Sequence, residues 1–332
     1  MHFGSQMAGM LTNWVARFTA THRIALFWLV LGSVTVAQAP RRAPPVVPET
    51  LAVQIMLDRV GFSPGEIDGR SGRNMQQALA AFQRSHDLPV TGRNDATLWQ
   101  RLSERAGNQP PLVSYEITDA DVAGPFTPDI PSDLMEQSKL PALSYRNPLE
   151  ALAEKFHASP QVLQQLNPGA MFMRGERIMV PNIATADPLA PLPGARAVGR
   201  IVVSKETSAL TIQDDQGKVL LHAPVTTGSE HDPLPIGMWK VTGVQQNPEF
   251  HYNPALFWDA NPAHSKARIP PGPNNPVGVV WIDISKEHYG IHGSPEPSRI
   301  GHTESHGCVR LTNWDAERVA TWARSGTPVI FE

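Results

Sequence analysis

Cys308 is the only cysteine among 332 residues, so no internal disulfide can hold it, and its neighbours decide what the thiol is for. A cysteine attacks an amide as the thiolate, and an unperturbed thiol, with a pKa of about 8.5, is mostly protonated at neutral pH. A nearby imidazole removes that obstacle, because it takes the thiol proton, stabilises the thiolate and later returns the proton to the leaving amine. The string YGIHGSPEPSRIGHTESHGCVRL supplies His292, His302 and His306 within a short stretch of chain around Cys308. If Ser305 to Leu311 is extended, His306, Cys308 and Arg310 project to one solvent-facing side while Val309 and Leu311 enter the core. Gly307 lets a reacting carbonyl approach the backbone closely, which makes the N–H groups of Gly307 and Cys308 candidates for an oxyanion site. Arg310 is then a candidate clamp for a substrate carboxylate. On spacing alone His306 is the nearer base. A free cysteine is otherwise often a small buried apolar residue, a use that would not require these neighbours.

Such a constellation needs a scaffold, and from about Arg200 onward the sequence is β in character. RIVVS, ALTIQD, KVLLHAPVTTG, MWKVTGV and VGVVWIDI are short runs rich in β-branched residues, separated by turn residues such as Asp215-Gln216-Gly217. Thr312 with Asp315 reads as a capping box for one late helix that continues through Ala316 to Arg324. Gly326 stops it and PVIF closes as a strand.

Upstream, Val53, Met56, Leu57 and Val60 fall at helical spacing, and Gly61 ends that helix. After a Gly- and Asp-rich loop (SPGEIDGRSG), Asn74 is placed to cap a second helix, with Gln77 completing a reciprocal cap. Asn94 opens a third helix carrying Leu98 and Leu102. Residues 106–142 lack periodicity, contain six prolines at 110, 111, 125, 128, 131 and 141, and read as a linker. Pro148 and Ser159-Pro160 then start two short helices, followed by the strand RIMVP.

These patterns resemble known families. The stretch GFSPGEIDGRSGRNMQQALAAFQRSHDLPVTGRNDATLWQRL is similar to the PG-binding-1 peptidoglycan-binding module, matching its G-x-x-x-G-x-x-D-G loop at Gly61, Gly65, Asp68 and Gly69, its Phe82-Gln83 and its L-P-V-T-G run ending at Gly92. Helix, helix, then G-E-x-I-x-V-P resembles a LysM glycan-binding module in degenerate form, since Asn147-Pro148-Leu149-Glu150 replaces that family's G-D-T-L opening. The last domain resembles the YkuD L,D-transpeptidases of the ErfK/YbiS branch. It carries their His-Gly at His292-Gly293, their S-H-G-C-φ-R signature from Ser305 to Arg310, and their P-x-G-x-[FW] entry at Pro235, Gly237 and Trp239. IPPGPNNPVG at 269–278 points to the same branch.

The resemblance implies a multidomain chain: a three-helix peptidoglycan-binding domain (50–105), a small LysM-like α/β module (143–184), and a mainly-β catalytic domain with one C-terminal helix (198–332). A signal peptide or N-terminal anchor (1–39) and Pro-rich segments at 40–49 and 185–197 complete the organisation. By the same resemblance Cys308 is the nucleophile, His292 rather than His306 is the general base, and the backbone carbonyl of Gly293 orients it. His306 supports the site, Gly307 contributes to the oxyanion site, and Arg310, Ser305 and Tyr289 line the substrate pocket. The implied reaction passes through a thioester formed on a peptidoglycan tetrapeptide stem. The acceptor is a second stem, giving a 3-3 cross-link, or a lysine of an outer-membrane lipoprotein; transfer to water would make the chain an L,D-carboxypeptidase.

Charge and the N-terminus narrow the setting. Lys and Arg total 28 against 31 Asp and Glu, a balance too near neutral for electrostatic capture of nucleic acid. Arg17 and Arg23 precede an apolar run from Ile24 to Val36 that is short for a membrane span and followed by small residues at Ala37 and Ala39. This reads as an export signal, or as an uncleaved anchor given Pro40, and places the chain in the periplasm or cell envelope. No cofactor or metal is expected. The rival enzyme class is a zinc hydrolase using His288 and His292 or His302 and His306, but Gly290, Gly293 and Pro295 argue against the helix that such spacing needs. A non-catalytic wall-binding protein is the rival outside enzymes, and the intact cysteine signature speaks against it.

Overall fold

The computed structural model describes residues 47–183 and 198–332. The expected signal or anchor, the first spacer up to residue 46 and the linker 185–197 lie outside the described residues. Among the described residues, no helix is long and apolar enough to cross a membrane.

Three helices open the described chain: α1 (Glu49–Arg59), α2 (Arg73–Ser85) and α3 (Ala96–Arg105). They close around Leu57, Phe82, Leu98 and Leu102, each at most 1% exposed, and each such side chain contributes roughly 2 kcal/mol by leaving water. Two expected caps are displaced. Asp95, not Asn94, caps α3 by accepting from the Leu98 N–H. Helix α2 starts at Arg73 behind Gly72 with no side-chain cap; Asn74 donates instead to the Ile300 carbonyl at 2.9 Å. A tertiary acceptor there replaces the local bond that the sequence suggests, and Gln77 has no reciprocal partner to complete.

The middle of the chain departs furthest from expectation. Residues 106–142 are not a linker: they hold strand β1 (Leu112–Glu116) and the short helices α4 (Asp119–Val122) and α5 (Leu134–Gln137). Helices α6 (Pro148–Lys155) and α7 (Pro160–Leu166) follow, each with Pro in its first turn behind a capping Asn147 or Ser159. Strand β2 (Arg177–Pro181) then pairs antiparallel with β1, from Leu112↔Pro181 to Glu116↔Arg177. The partner of β1 lies far along the chain, so no local periodicity announces it.

The expected fold class holds for the helical N-terminal region and for the mainly-β C-terminal region with its one late helix. The latter contains β3 (Val198–Ser204), β4 (Ala209–Asp214), β5 (Val219–Pro224), β6 (Gly237–Gln246), β7 (Phe250–Tyr252), β8 (Ala267–Ile269), β9 (Val280–Ile284), β10 (Gly290–His292), β11 (Val309–Arg310), α8 (Asn313–Trp322) and β12 (Pro328–Phe331). Eight of these strands form one sheet in the order β11-β10-β9-β6-β12-β3-β4-β5. Strand β6 pairs with β12 over its first part and with β9 over its second, shifting register between Val241 and Gly243. Such a shift bends a sheet, and this sheet curls until Thr226, just past β5, exchanges backbone hydrogen bonds with Arg310 of β11 at 3.0 and 2.9 Å. Ile201, Leu210, Ile282, Ile291 and Val309 fill the interior beneath α8. Thr312 caps α8 through the Asp315 N–H, and the helix ends at Trp322, two residues short of Arg324, because the chain must turn to bring Gly326 N–H onto the Val241 carbonyl.

The three parts are bonded to one another. Ser63 N–H donates to the His222 carbonyl at 2.8 Å, and His222 N–H donates to Gly61 at 2.9 Å. Ile67, in the loop that carries the peptidoglycan-binding signature, is fully buried in the core of the middle unit and exchanges bonds with His157 and Ser159 at 2.8 and 3.0 Å. The segment 130–143 packs Leu143 against Tyr252 and Ile269 of the β7–β8 hairpin.

Candidate active site

Cys308 and His292 come onto one face of the sheet because β10 and β11 run parallel, with Ile291 opposite Val309 and His292 opposite Arg310. Ile291 and Val309 are both fully buried, which anchors the alternation: opposite residues share a face, so His292, Arg310 and, one step back, Cys308 lie together on the other side. Cys308 therefore stands beside Gly290, whose N–H points at its sulfur.

His292 is 3% exposed. Its Nδ1 lies 2.7 Å from the Gly293 carbonyl, which requires an N–H there and leaves Nε2 as the basic nitrogen. Trp281 of β9 stacks on the ring at 5.4 Å between centroids. Burial, reinforced by the Arg310 charge and only partly opposed by the Gly293 bond, pulls the imidazole pKa down to about 3. Cys308 is half-buried. Withdrawal from water raises its pKa, while the Gly290 N–H and Arg310 pull the other way. Burial thus favours the uncharged forms of both the thiol and the imidazole.

Arg310 is itself held below its usual pKa by burial, and its Nε is a buried donor with no partner. Gly293 is packed so tightly against the Asn313 amide that a Cβ would collide with it. Asn313 also accepts from the Val279 N–H at 3.2 Å, so α8, β9 and β10 are locked together at the base. Gly307 has φ +94° and presses on the Tyr289 ring, where again a Cβ would collide. Tyr289 is half-buried against the core and serves as the floor of the cysteine turn rather than as an open pocket wall. Ser305 is 4% exposed and its hydroxyl donates to the Cys308 carbonyl at 2.6 Å, so it closes the turn instead of facing a substrate.

The expectation that Ser305 to Leu311 is extended fails at its first half. Gly307, in the left-handed region, turns the chain between His306 and Cys308, and regular strand begins only at Val309. His306 leaves the Cys308 face: its Nε2 lies 2.8 Å from Asp259 and its ring sits edge-on to Phe257 at 5.0 Å. Its Nδ1 is buried without a partner. His302 is exposed, and His288 is exposed at φ +67°. Among the described residues, no three His, Cys, Asp or Glu side chains gather as metal ligands would.

Comparison with known proteins gives matches in two regions of the chain. Residues 199–331 match the model of the L,D-transpeptidase catalytic domain, and residues 47–102 match that of a putative peptidoglycan binding domain. A putative L,D-transpeptidase YkuD of Bacillus licheniformis is 29% identical over 184 residues, spanning 54% of this chain and 91% of the relative. The putative L,D-transpeptidase YqjB of Bacillus subtilis is 31% identical over 146 residues, 42% of this chain and 73% of the relative. The chain belongs to the L,D-transpeptidase family. A probable L,D-transpeptidase YbiS of Escherichia coli is 42% identical over 65 residues, 20% of this chain and 21% of the relative.

Within the transpeptidase domain, two partners escape the sequence and a third is only half legible. Asp259 reaches His306 from a loop inserted between β7 and β8, and nothing in its surroundings marks it. Thr226 fixes Arg310 through backbone bonds that depend on the closure of the sheet. Trp281 was within reach: Val280 and Ile282 are its apolar neighbours in VVWIDI, so it must face away from them, but only the β9–β10 register (His292↔Trp281) reveals what it covers.

Proposed function

We propose that this L,D-transpeptidase acts on peptidoglycan tetrapeptide stems through a thioester on Cys308. His292 Nε2 takes the thiol proton as the sulfur attacks the carbonyl joining the stem's diamino acid to terminal D-Ala, and the tetrahedral oxyanion forms beside the Gly307 turn. The C–N bond breaks, His292 returns the proton to the departing D-Ala amine, and the acyl group stays on sulfur. An amine then attacks the thioester, gives a proton to His292 and expels the Cys308 thiol. A second stem as that amine gives a 3-3 cross-link, a lipoprotein lysine gives anchoring, and water gives L,D-carboxypeptidase activity. Arg310 offers its positive charge to a carboxylate of the stem.

The observation that supports this most is the His292 side chain. It shares a face with Cys308 on adjoining parallel strands, and the Gly293 carbonyl holds its tautomer so that the free nitrogen is the basic one. Burial keeps the imidazole neutral at working pH and free to accept a proton, and the thiolate forming beside it would raise its basicity towards the working pH that an efficient base needs. The matched peptidoglycan-binding domain on the same chain supports the substrate class, and the substrate class in turn supports a location in the cell envelope.

Intact-mass analysis tests the mechanism. Incubation with disaccharide tetrapeptide or a carbapenem is expected to add one acyl group to the wild type and none to Cys308→Ala. Equal labelling of both proteins, or none of either, overturns it. Product analysis with a stem amine, a lipoprotein lysine peptide and water as competing acceptors then identifies what resolves the thioester.

A further inference from the structure

A cleft of about 1390 Å³ is lined by residues from all three parts of the chain, Arg310 among them. The peptidoglycan-binding signature loop contributes Glu66 and Asp68 to its walls, α6 contributes Glu150 and Glu154, and Gln137 comes from the segment expected to be a linker. Trp314 of α8 lines it from the transpeptidase side. Arg146 and Glu150 neutralise one another at 2.7 Å, which leaves Glu66, Asp68, Glu154 and Glu296 as an acidic excess over the two guanidiniums of Arg70 and Arg310.

Several lining groups lack the hydrogen bonds their burial demands. Trp314 is 4% exposed and Gln137 9%, yet the Trp314 indole N–H and the Gln137 Oε1 have no partner. The Glu154 Oε1 and Arg310 Nε are equally bare. An unpaired buried polar group is costly, and here two donors and two acceptors on one cleft lack partners together. That pattern fits a polar peptide, which brings carbonyls and N–H groups of its own.

We propose that this cleft binds a stem peptide through its side-chain ammonium, with the acidic wall at Glu66 and Glu154 taking the cation and Arg310 receiving the other end. The proposal rests on the transpeptidase reading above. Burial, reinforced by neighbouring carboxylates, pushes Glu154 up to about 8 and Glu66 up to about 7, with Arg70 opposing it only partly at Glu66, so an ammonium at this wall would favour the ionised form of both. Glu154 also bonds the Asn313 side chain, whose amide packs on Gly293, so an occupant there lies next to the support of the His292 base. Donor and acceptor stems both carry the amine, and the chemistry of the wall suits either.

The test compares a tetrapeptide stem bearing a free side-chain amine with the same peptide acetylated at that amine, titrated calorimetrically against the full chain. The wild type is expected to prefer the free amine by about tenfold or more, and Glu154→Gln and Glu66→Gln to lose that preference, a buried charge pair being worth at least that much. Gln137→Leu, which leaves the charges alone, is expected to weaken both peptides equally. Carbapenem acylation of Cys308, which needs no amine, should proceed in every variant; its absence from the wild type would sink the transpeptidase mechanism, whereas its persistence with no amine preference would sink only the cleft. A preference seen in acyl-enzyme formation assigns the cleft to the donor, and one seen only in acyl-enzyme breakdown assigns it to the acceptor. Equal binding of the two peptides by the wild type, or an undiminished preference in both glutamine variants, overturns the proposal.

Discussion

Two histidines in this molecule sit in nearly the same physical setting but have different neighbours. His292 and His157 are 3% and 8% exposed. Each stacks on a tryptophan, His292 on Trp281 at 5.4 Å and His157 on Trp314 at 5.0 Å. Each has Nδ1 tied down, His292 to the Gly293 carbonyl and His157 to Asp58 at 3.1 Å. Burial lowers the pKa of both. What separates them is the neighbourhood: His292 shares a face with Cys308 at the rim of the sheet, whereas His157 adjoins the Asp58–Arg318 pair at the place where all three parts of the chain meet. A stacked, buried, tautomer-locked histidine is therefore not by itself a catalytic signature. The group beside its second nitrogen decides.

Replacing each by glutamine should separate the two roles most sharply. His292→Gln is expected to slow carbapenem acylation of Cys308 by roughly 10³-fold, the usual worth of a general base, with an unchanged circular dichroism spectrum. His157→Gln should leave that rate within about twofold and lower the melting temperature instead. A large rate loss in His157→Gln would show that the junction is coupled to the chemistry.

The junction's own weight comes next. Asp58 is fully buried; burial alone would raise its pKa, but Arg318 at 2.8 Å and His157 hold it well below the usual carboxylate range. Breaking a buried pair leaves an uncompensated charge, so Asp58→Asn is expected to cost about 3–5 kcal/mol. Urea unfolding measures it. A loss below about 1 kcal/mol would mean that the shape complementarity of the parts, not their charges, holds them together.

This contrast also marks how far the sequence could be followed. The cysteine turn was partly legible because its residues are adjacent in the chain and their placement is local: Gly307 turns, Cys308 follows it on the face of His292, and Val309 anchors in the core. His292 was legible only through family likeness, since its place beside Cys308 depends on parallel pairing between β10 and β11, which no spacing encodes. His306 misled for the converse reason, because adjacency placed it at the thiol while one left-handed glycine sends it to Asp259. The peptidoglycan-binding loop was recognisable from its glycines, yet its burial of Ile67 in the middle unit, and the strand β1 hidden in a Pro-rich stretch, are consequences of contacts made far along the chain.

Acid should act on the two settings through one sign. A histidine whose folded pKa lies below its unfolded value contributes fully above about 6.5 and loses that contribution as pH falls towards the folded value, because the unfolded chain then binds the proton more readily. His222, at about 4, and His292, at about 3, place the window between 6.5 and 3. His222, 2% exposed against the first helical module, accounts for about 3 kcal/mol of it at 1.4 kcal/mol per unit. Urea midpoints measured from pH 7 to pH 4 should fall accordingly, and the fall should shrink in His222→Gln. Over the same range the acylation rate should show no break near 6.5, since His292 stays neutral; a clear inflection there would point to a more exposed histidine as the base.

The smallest effect expected is at Ser305. Its hydroxyl bonds the Cys308 carbonyl, so Ser305→Ala removes one buried hydrogen bond and leaves the thiol, His292 and Arg310 in place. A stability loss of about 1 kcal/mol follows from the bond itself. The acylation rate reports how much of the turn's shape that bond maintains: Gly307 is already pressed against Tyr289 and β11 is already paired with β10 and Thr226, so a fall of no more than about fivefold is expected, roughly the same 1 kcal/mol expressed in the barrier. A hundredfold fall, with the peptide's affinity unchanged, would mean that the hydroxyl contributes to the reacting centre directly and that the contrast between the turn and the junction is drawn one residue too late.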